Sequence, residues 1–491
     1  MNRVFSIVSS ARRAFLFMAL ALLVPMTGEA KDLYVDGTSG NDSVSYDNNS
    51  ASNPWRTIGR AAWGSSDRAA RNASQAARAG DVVLVAAGTY AVAGTGSRNE
   101  IAYLTANEGA PGNPIVFRAV GTVSLVLSSG DGPQIGSYDR DYITWDGFAI
   151  HEATAPSRPD TGPVTVYGCT GCVLQNLDIN GNGSANNRQD NHNGIRVEGS
   201  RNITVRNNRI TNVHSGGNSN NGACVMTYAI GAAIFENNDL SYCGSGIFIK
   251  GGPNTATSLD TVIIRYNYLH DIGRPGGSGS ALVFHAGAAN PPERPILVYQ
   301  NIVYNVLDES AVRIWPFDNN NSLNTPRNVK VFNNTFVNAR SGMWLSDQPI
   351  ASAGILFQNN IVTARSTVIE YNTSNPNDQA VFTSNRNVSA NSTWGIVPID
   401  LRRPLAAWQS ATGQDANSVA ADPGFVSAGD LRLAPGSPAR TAGRALYGVG
   451  GATGTVIPAG AYITGNEVIG RTGAPLPSLP SAPRNLRIVP E

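Results

Sequence analysis

Six asparagines recur through the middle of this 491-residue chain, each in a similar apolar frame: Asn208, Asn238, Asn267, Asn301, Asn334 and Asn360. Typical frames are Val205-Arg-Asn-Asn-Arg-Ile210, Phe235-Glu-Asn-Asn-Asp-Leu240 and Phe357-Gln-Asn-Asn-Ile-Val362. The spacings are 30, 29, 34, 33 and 26 residues. A constant core with insertions of variable length is the signature of stacked coils. An asparagine at one bend of such a stack bonds to its copies above and below, and so satisfies amides that apolar neighbours would strand. The chain is therefore read as an all-β, single-stranded solenoid.

The chain opens with Arg3, Arg12 and Arg13, then an apolar stretch from Ala14 to Met26 and small residues at Gly28-Glu-Ala30. This pattern predicts a signal peptide over residues 1–30. Ala11-Arg-Arg-Ala-Phe-Leu16 resembles a twin-arginine signal, which leaves the export route open. Loss of this leader removes three arginines and one glutamate, taking the formal charge from +1 to −1. Without a basic excess, nucleic acid is not an expected partner. A secreted or periplasmic monomer with no membrane attachment is expected. The four cysteines, Cys169, Cys172, Cys224 and Cys243, are free to pair outside the cytoplasm; Cys169-Thr-Gly-Cys172 reads as a turn disulfide or as inert packing.

A solenoid body is predicted over 31–470, with an N-terminal cap region over 31–90 and a C-terminal cap region over 415–470. Residues 58–79 are alanine-rich and read as a helix closing the first coil, whose open edge would otherwise expose backbone groups. A proline-rich tail follows over 471–491.

Each coil is expected to place one strand just after a pair of small residues. Aligned segments are Asn193–Gly199, Gly222–Tyr228, Ser245–Gly251, Ser280–Ala286, Ser310–Pro316 and Ser341–Asp347. Side chains alternate faces along a strand. The inward positions become Ile195/Val197, Cys224/Met226, Ile247/Ile249, Leu282/Phe284, Val312/Ile314 and Met343/Leu345, all apolar. The outward positions form two columns. One runs Arg196, Val225, Phe248, Val283, Arg313, Trp344; the other runs Tyr167, Glu198, Thr227, Lys250, His285, Trp315, Ser346. Tyr228 ends one of these strands. Tyr167, Tyr228, Trp315 and Trp344 offer rings for sugars, and Arg196 and Arg313 offer bidentate partners for carboxylates. Glu198, His214 and His270 are read as further substrate contacts.

Lys250 stands apart. Of 36 basic residues only Lys31, Lys250 and Lys330 are lysines, leaving 33 arginines. Lysine, unlike arginine, can lose its proton, and a neutral amine is a suitable base for the proton α to a uronate carboxylate. The plain alternative is a solvated surface lysine. His285 lies in the same column and could protonate a leaving glycosidic oxygen. Asp308 and Glu309 sit at the rim, as ligands for Ca2+, as a hydrolase pair or as turn caps. The 180–192 insertion is long enough to wall the cleft.

The opening Tyr34-Val-Asp-Gly-Thr-Ser-Gly-Asn-Asp42, the Gly80-Asp-Val-Val tract, the Asn-rich coils and the closing Gly436-Ser-Pro-Ala439 with Gly460-Ala-Tyr462 resemble secreted right-handed parallel β-helix carbohydrate-active proteins. With Lys250 and Arg313, the chain looks most like lyases of the chondroitinase B and alginate lyase type. The resemblance implies β-elimination on an acidic, uronate-containing polysaccharide: Lys250 as base, Arg313 or Arg196 on the carboxylate, His285 assisting departure of O4. A glycoside hydrolase, a uronan epimerase or a non-catalytic glycan-binding adhesin on the same groove are the alternatives. The Asp-Asp and Gly-His-Gly motifs of polygalacturonases, the Asp-Pro-His of mannuronan epimerases and the Trp-Ile-Asp-His of classical pectate lyases are absent.

Overall fold

A computed structural model describes residues 30–92, 101–127, 133–152, 162–181, 192–214, 222–250, 261–273, 279–285, 294–307, 309–315, 328–345, 354–371, 382–396 and 402–471. Residues 1–29 of the predicted leader, most of the 180–192 insertion, Asp308, Ser346 and residues 472–491 of the proline-rich tail lie outside them.

The chain winds as a parallel β-helix. Ten parallel strands, from Ile135–Tyr138 through Gly395–Ile396, stack into one flat sheet, and antiparallel Arg402–Arg403 closes its end. The other two faces join into a single 21-stranded sheet. They are continuous because the early strands Val82–Val92, Ile115–Leu127 and Ile143–Glu152 run unbroken around the corner. Gly88, Gly121 and Gly147 stand at that corner with φ of 156°, 79° and 89°. The last two lie in the left-handed region, where a side chain is strained.

Later coils turn the same corner with an asparagine pair. The first member takes the left-handed conformation, as at Asn207, Asn237, Asn333 and Asn359 (φ 52–57°). The second member points inward and is fully buried. Asn208 donates from its backbone N–H and from Nδ2 to Asn238 Oδ1, each at 3.0 Å, and Nδ2 also reaches Leu174 O at 3.0 Å. The same pattern repeats from Asn238 to Asn267, Asn301, Asn334 and Asn360. The ladder goes one coil further than the repeat analysis predicted, to Asn387, 27 residues beyond Asn360. Asp415 ends it by accepting from Asn387 Nδ2 at 3.0 Å. The second oxygen of Asp415 accepts from Trp408 Nε1 at 2.9 Å, which locks the helix Leu405–Thr412 over the far end.

At the near end the predicted 58–79 helix is much shorter. It spans Ile58–Trp63, followed by single 3-10 turns at Arg68–Ala70 and Ala73–Gln75. Gly64 stops it in a left-handed cap at φ 72°, where a Cβ would fall 1.9 Å from Asn72 O. Asp67 and Asn72 then cap the two short turns with their own side chains, competing with helix continuation.

The C-terminal segment runs back along the stack rather than extending it. Asn359 Nδ2 donates to Arg444 O (2.7 Å), Asn333 Nδ2 to Pro458 O (3.0 Å) and Asn237 Nδ2 to Val468 O (2.7 Å), while Arg471 reaches Asn176 O (3.3 Å). The left-handed asparagines thus present their side chains outward as docking points for this return. Both cysteine pairs are closed: Cys169 with Cys172, and Cys224 with Cys243.

Candidate functional site

Inward alternation holds in five of the six predicted groove strands, and their ten side chains lie in the main core. It fails at Ala223–Tyr228. There Val225 pairs with Ile195 and Ile247, while Met226 pairs with Arg196 and Phe248. Val225 and Thr227 therefore point inward, and Met226 and Tyr228 outward, one residue out of the predicted register. Apolarity could not decide the matter, because the outer face is apolar here too: Met226 clusters with Phe248 and Val283. Cys224 is drawn inward by its bond to Cys243, against strict alternation.

The correction places Tyr228 between Glu198 and Lys250. The outer column now reads Tyr138, Tyr167, Glu198, Tyr228, Lys250, His285, Trp315, each in direct register with the next. The neighbouring column reads Arg196, Met226, Phe248, Val283, Arg313, Trp344, Glu370. Coils stack about 4.8 Å apart, so Lys250 and His285 are nearest neighbours and Arg313 lies one coil beyond His285.

Two clusters of contacts shape this face. In the first, Arg196 and Lys250 share the ring of Tyr228, at 4.5 Å and 5.3 Å from its centroid. Arg196 is buried, is ion-paired with Glu198, and donates to Asn193 Oδ1 at 3.1 Å. Its guanidinium is thus engaged internally, contrary to the expectation that it holds a substrate carboxylate. In the second, the Arg313 guanidinium sits between the rings of Trp315 (4.1 Å) and Trp344 (4.2 Å). Burial pulls its pKa down, opposed by the charge of Glu309. His285, also buried, meets Trp315 edge-on at 4.7 Å and Phe248 at 5.7 Å.

The rings are less available for stacking than their identity suggested. Tyr167 and the previously unconsidered Tyr138 stack on each other at 4.8 Å, each 40% exposed, so they present edges to the groove. Trp315 and Trp344 each give one face to Arg313.

His214 lies in the turn entering the groove sheet; Gly244, one coil on, donates its N–H to Val213 O. His270 does not belong to the groove. It sits on the strand Tyr268–Ile272 of another face, between Asp271 (2.8 Å to Nδ1) and Asp239 (3.1 Å to Nε2). Burial lowers its pKa, but the two carboxylates outweigh that effect and raise it to about 9. Lys330 lies on a third face, its ammonium 2.5 Å from Gly354 O, with its pKa lowered by burial.

Glu309 is in the turn before the strand Val312–Trp315, and its carbonyl accepts from Arg340 N at 2.9 Å. Among the described residues no group of three or more His, Cys, Asp or Glu converges as a metal site, and Glu309 lies in the field of Arg313. Asp308, the other predicted Ca2+ ligand, lies outside the described residues. Glu370, missed in the repeat alignment, continues the Arg313 column; burial raises its pKa against Arg340 and Arg402.

No family model and no curated protein matches the chain. Solved structures do. Pectate lyase Pel9A superposes with a TM-score of 0.51 at 15% identity, covering 88% of this chain and 96% of the other. XylC in complex with xylose gives 0.46 at 12% identity, covering 80% and 86%. An alginate lyase from Paenibacillus sp. str. FPU-7 gives 0.39 at 12%, covering 76% and 97%. The first of these carries the comparison, and at that identity it speaks to architecture: the chain is a parallel β-helix protein with the fold of pectate lyase Pel9A.

Proposed function

We propose that this protein is a polysaccharide lyase that cleaves an acidic, uronate-containing glycan by β-elimination. The observation that carries the reading is the direct cross-strand pairing of Lys250 with His285 on an outward face, with Arg313 one coil further on. Lys250 and Arg313 place two cations on this face between Tyr228 and Trp344, beside the Arg196–Glu198 ion pair. An anionic polymer is the complementary ligand.

The chemistry follows from that set. Arg313 neutralises the uronate carboxylate, which lowers the barrier to a carbanion-like state at C5. Desolvation between two tryptophans strengthens its pull on an anion. Lys250, as the neutral amine, takes the C5 proton. The C5–H electron pair becomes the C4=C5 double bond, the C4–O4 bond breaks, and His285 gives its proton to the leaving O4. Products are a new non-reducing end carrying the double bond and a chain whose departed oxygen, still bonded to C1, is the anomeric hydroxyl of a new reducing end.

The test is to incubate the protein with a panel of uronate polysaccharides and follow both the absorbance of the unsaturated product and the release of reducing ends. Lyase action raises both signals together. Reducing ends without absorbance would assign a hydrolase, C5 inversion without cleavage an epimerase, and binding without turnover an adhesin.

A further inference from the structure

Tyr228 ends the strand Ala223–Tyr228 and stands in register between Glu198, one coil back, and Lys250, one coil on. Its ring is met from the two flanking coils, by the Arg196 guanidinium at 4.5 Å and the Lys250 ammonium at 5.3 Å. Glu198 and Lys250 are thus two coils apart, about 10 Å by backbone, a gap that their side chains could close across a small residue. The Tyr228 ring fills that position instead. Arg196 meanwhile holds the Glu198 carboxylate through its Nε, and is itself anchored on Asn193 Oδ1 at 3.1 Å.

An amine that takes a proton from carbon must be neutral part of the time. A carboxylate at ion-pair distance opposes this, favouring the ammonium by about one to three pH units. The face of a ring also favours an ammonium, but by only about half a unit at an accessible site. A ring in place of a carboxylate therefore favours the neutral amine. The other charged or titratable groups around Lys250, among the described residues, do not reverse this. His285 is its partner on the next coil and Arg313 lies one coil beyond, and neither brings negative charge. Glu309 stands in the turn before the strand Val312–Trp315 and interacts with the Arg313 guanidinium. Glu198 is the carboxylate aligned in the column of Lys250.

We infer that Tyr228 is a positioning residue whose ring, with Arg196 behind it, insulates the Lys250 amine from the Glu198 carboxylate. The inference rests on the reading of Lys250 as the base. It uses the bulk of the ring and not the hydroxyl, and it requires no contact between Tyr228 and substrate. It also accounts for a buried arginine that turns its guanidinium to Glu198 on the face where an anionic polymer would bind.

Lys31, Lys250 and Lys330 are the only lysines of the chain, so isotopic labelling of lysine side chains lets each amine be titrated by NMR without substrate. Lys31, 2.6 Å from Tyr46 O, and Lys330, 2.5 Å from Gly354 O, serve as internal controls for the fold. In Tyr228→Ala the Lys250 midpoint should rise by about one pH unit while the two controls stay in place. Tyr228→Phe should keep the parent midpoint. Adding Glu198→Gln to Tyr228→Ala should return it to the parent value or below. Glu198→Gln alone, with the ring in place, should move it by well under about one unit. The inference is overturned if the midpoint does not rise in Tyr228→Ala, or if the rise survives Glu198→Gln. It is also overturned if Glu198→Gln alone lowers the midpoint by about one unit or more, because the carboxylate would then already reach the amine. The acidic limb of kcat/KM on a uronate polymer should move with the midpoint. A midpoint that moves while the limb stays would uphold the insulation and remove Lys250 from the role of base.

Discussion

Lys250 and His285 are direct cross-strand partners on the outer face of the groove sheet, with Ile249 and Phe284 beside them facing the core. In the proposed lyase reaction these two serve as base and acid; on adjacent coils, about 4.8 Å apart along the stack, they can reach C5 and O4 of one sugar residue. That spacing is a property of the coil repeat rather than of any loop, so the pair is held as rigidly as the fold itself.

Arg313→Lys should keep the charge but lose the planar fork and its stacking between Trp315 and Trp344. Activity on uronate polymers should fall by about 10²–10³ in kcat, the usual loss for one electrostatic transition-state contact. Steady-state kinetics separates this from a simple binding defect, which would raise KM with kcat intact. Arg196→Lys, altering a guanidinium already paired with Glu198, should cost far less.

The His270 cluster makes stability pH-dependent. Its folded pKa is about 9 against a usual 6.5, so the protonated form favours the folded state. That contribution is complete below the unfolded value and fades as pH rises through the folded one. A pKa raised from 6.5 to about 9 corresponds to a contribution on the order of 3 kcal/mol. Thermal melts should therefore show stability declining between pH 6.5 and 9, and His270→Gln should flatten that slope. Lyase activity should not track this window, because His270 is remote from the groove.

Asn267→Leu should break the ladder at its centre. Asn238 N–H and Nδ2 would lose their acceptor, and Phe235 O its donor. Each stranded buried group costs about 1–3 kcal/mol, so a total loss near ~3 kcal/mol is expected, read as a lower melting temperature. Arg209→Ala, on an exposed side chain one residue past the ladder at Asn208, should be nearly silent.

Cys224 and Cys243 tie adjacent coils across 19 residues of chain. Replacing both with serine should cost about 3 kcal/mol by the loop-closure argument. The reduced native protein, which also loses the Cys169–Cys172 bond, should melt no higher than this variant.

Much of this architecture was legible because buried amides must be paired, and a solenoid pairs them in one repeated frame. Asn387 escaped notice although its spacing fits. Arg386 takes the left-handed position before it, where most other coils have asparagine. The groove columns were legible wherever one strand face was apolar and the other polar. At Met226 both faces are apolar, and the alternation carried no information. The helix over 58–79 failed on local chemistry, a left-handed Gly64 followed by self-capping Asp67 and Asn72. His270 was misplaced for a tertiary reason: its partners lie on its own face of the coil. The return of the C-terminal segment was illegible, because the asparagines of the left-handed ridge bind its carbonyls, which every residue type carries.

The most direct measurement is the rate of unsaturated product formation by Lys250→Ala and Lys250→Arg, alongside the parent protein on its preferred uronate polymer. The side chain is on the outer face, so circular dichroism and melting temperature should match the parent. Both variants should lose at least about 10²-fold in kcat, since alanine has no base and arginine cannot shed its proton. Full activity in either folded variant would contradict the assignment of Lys250 as the base.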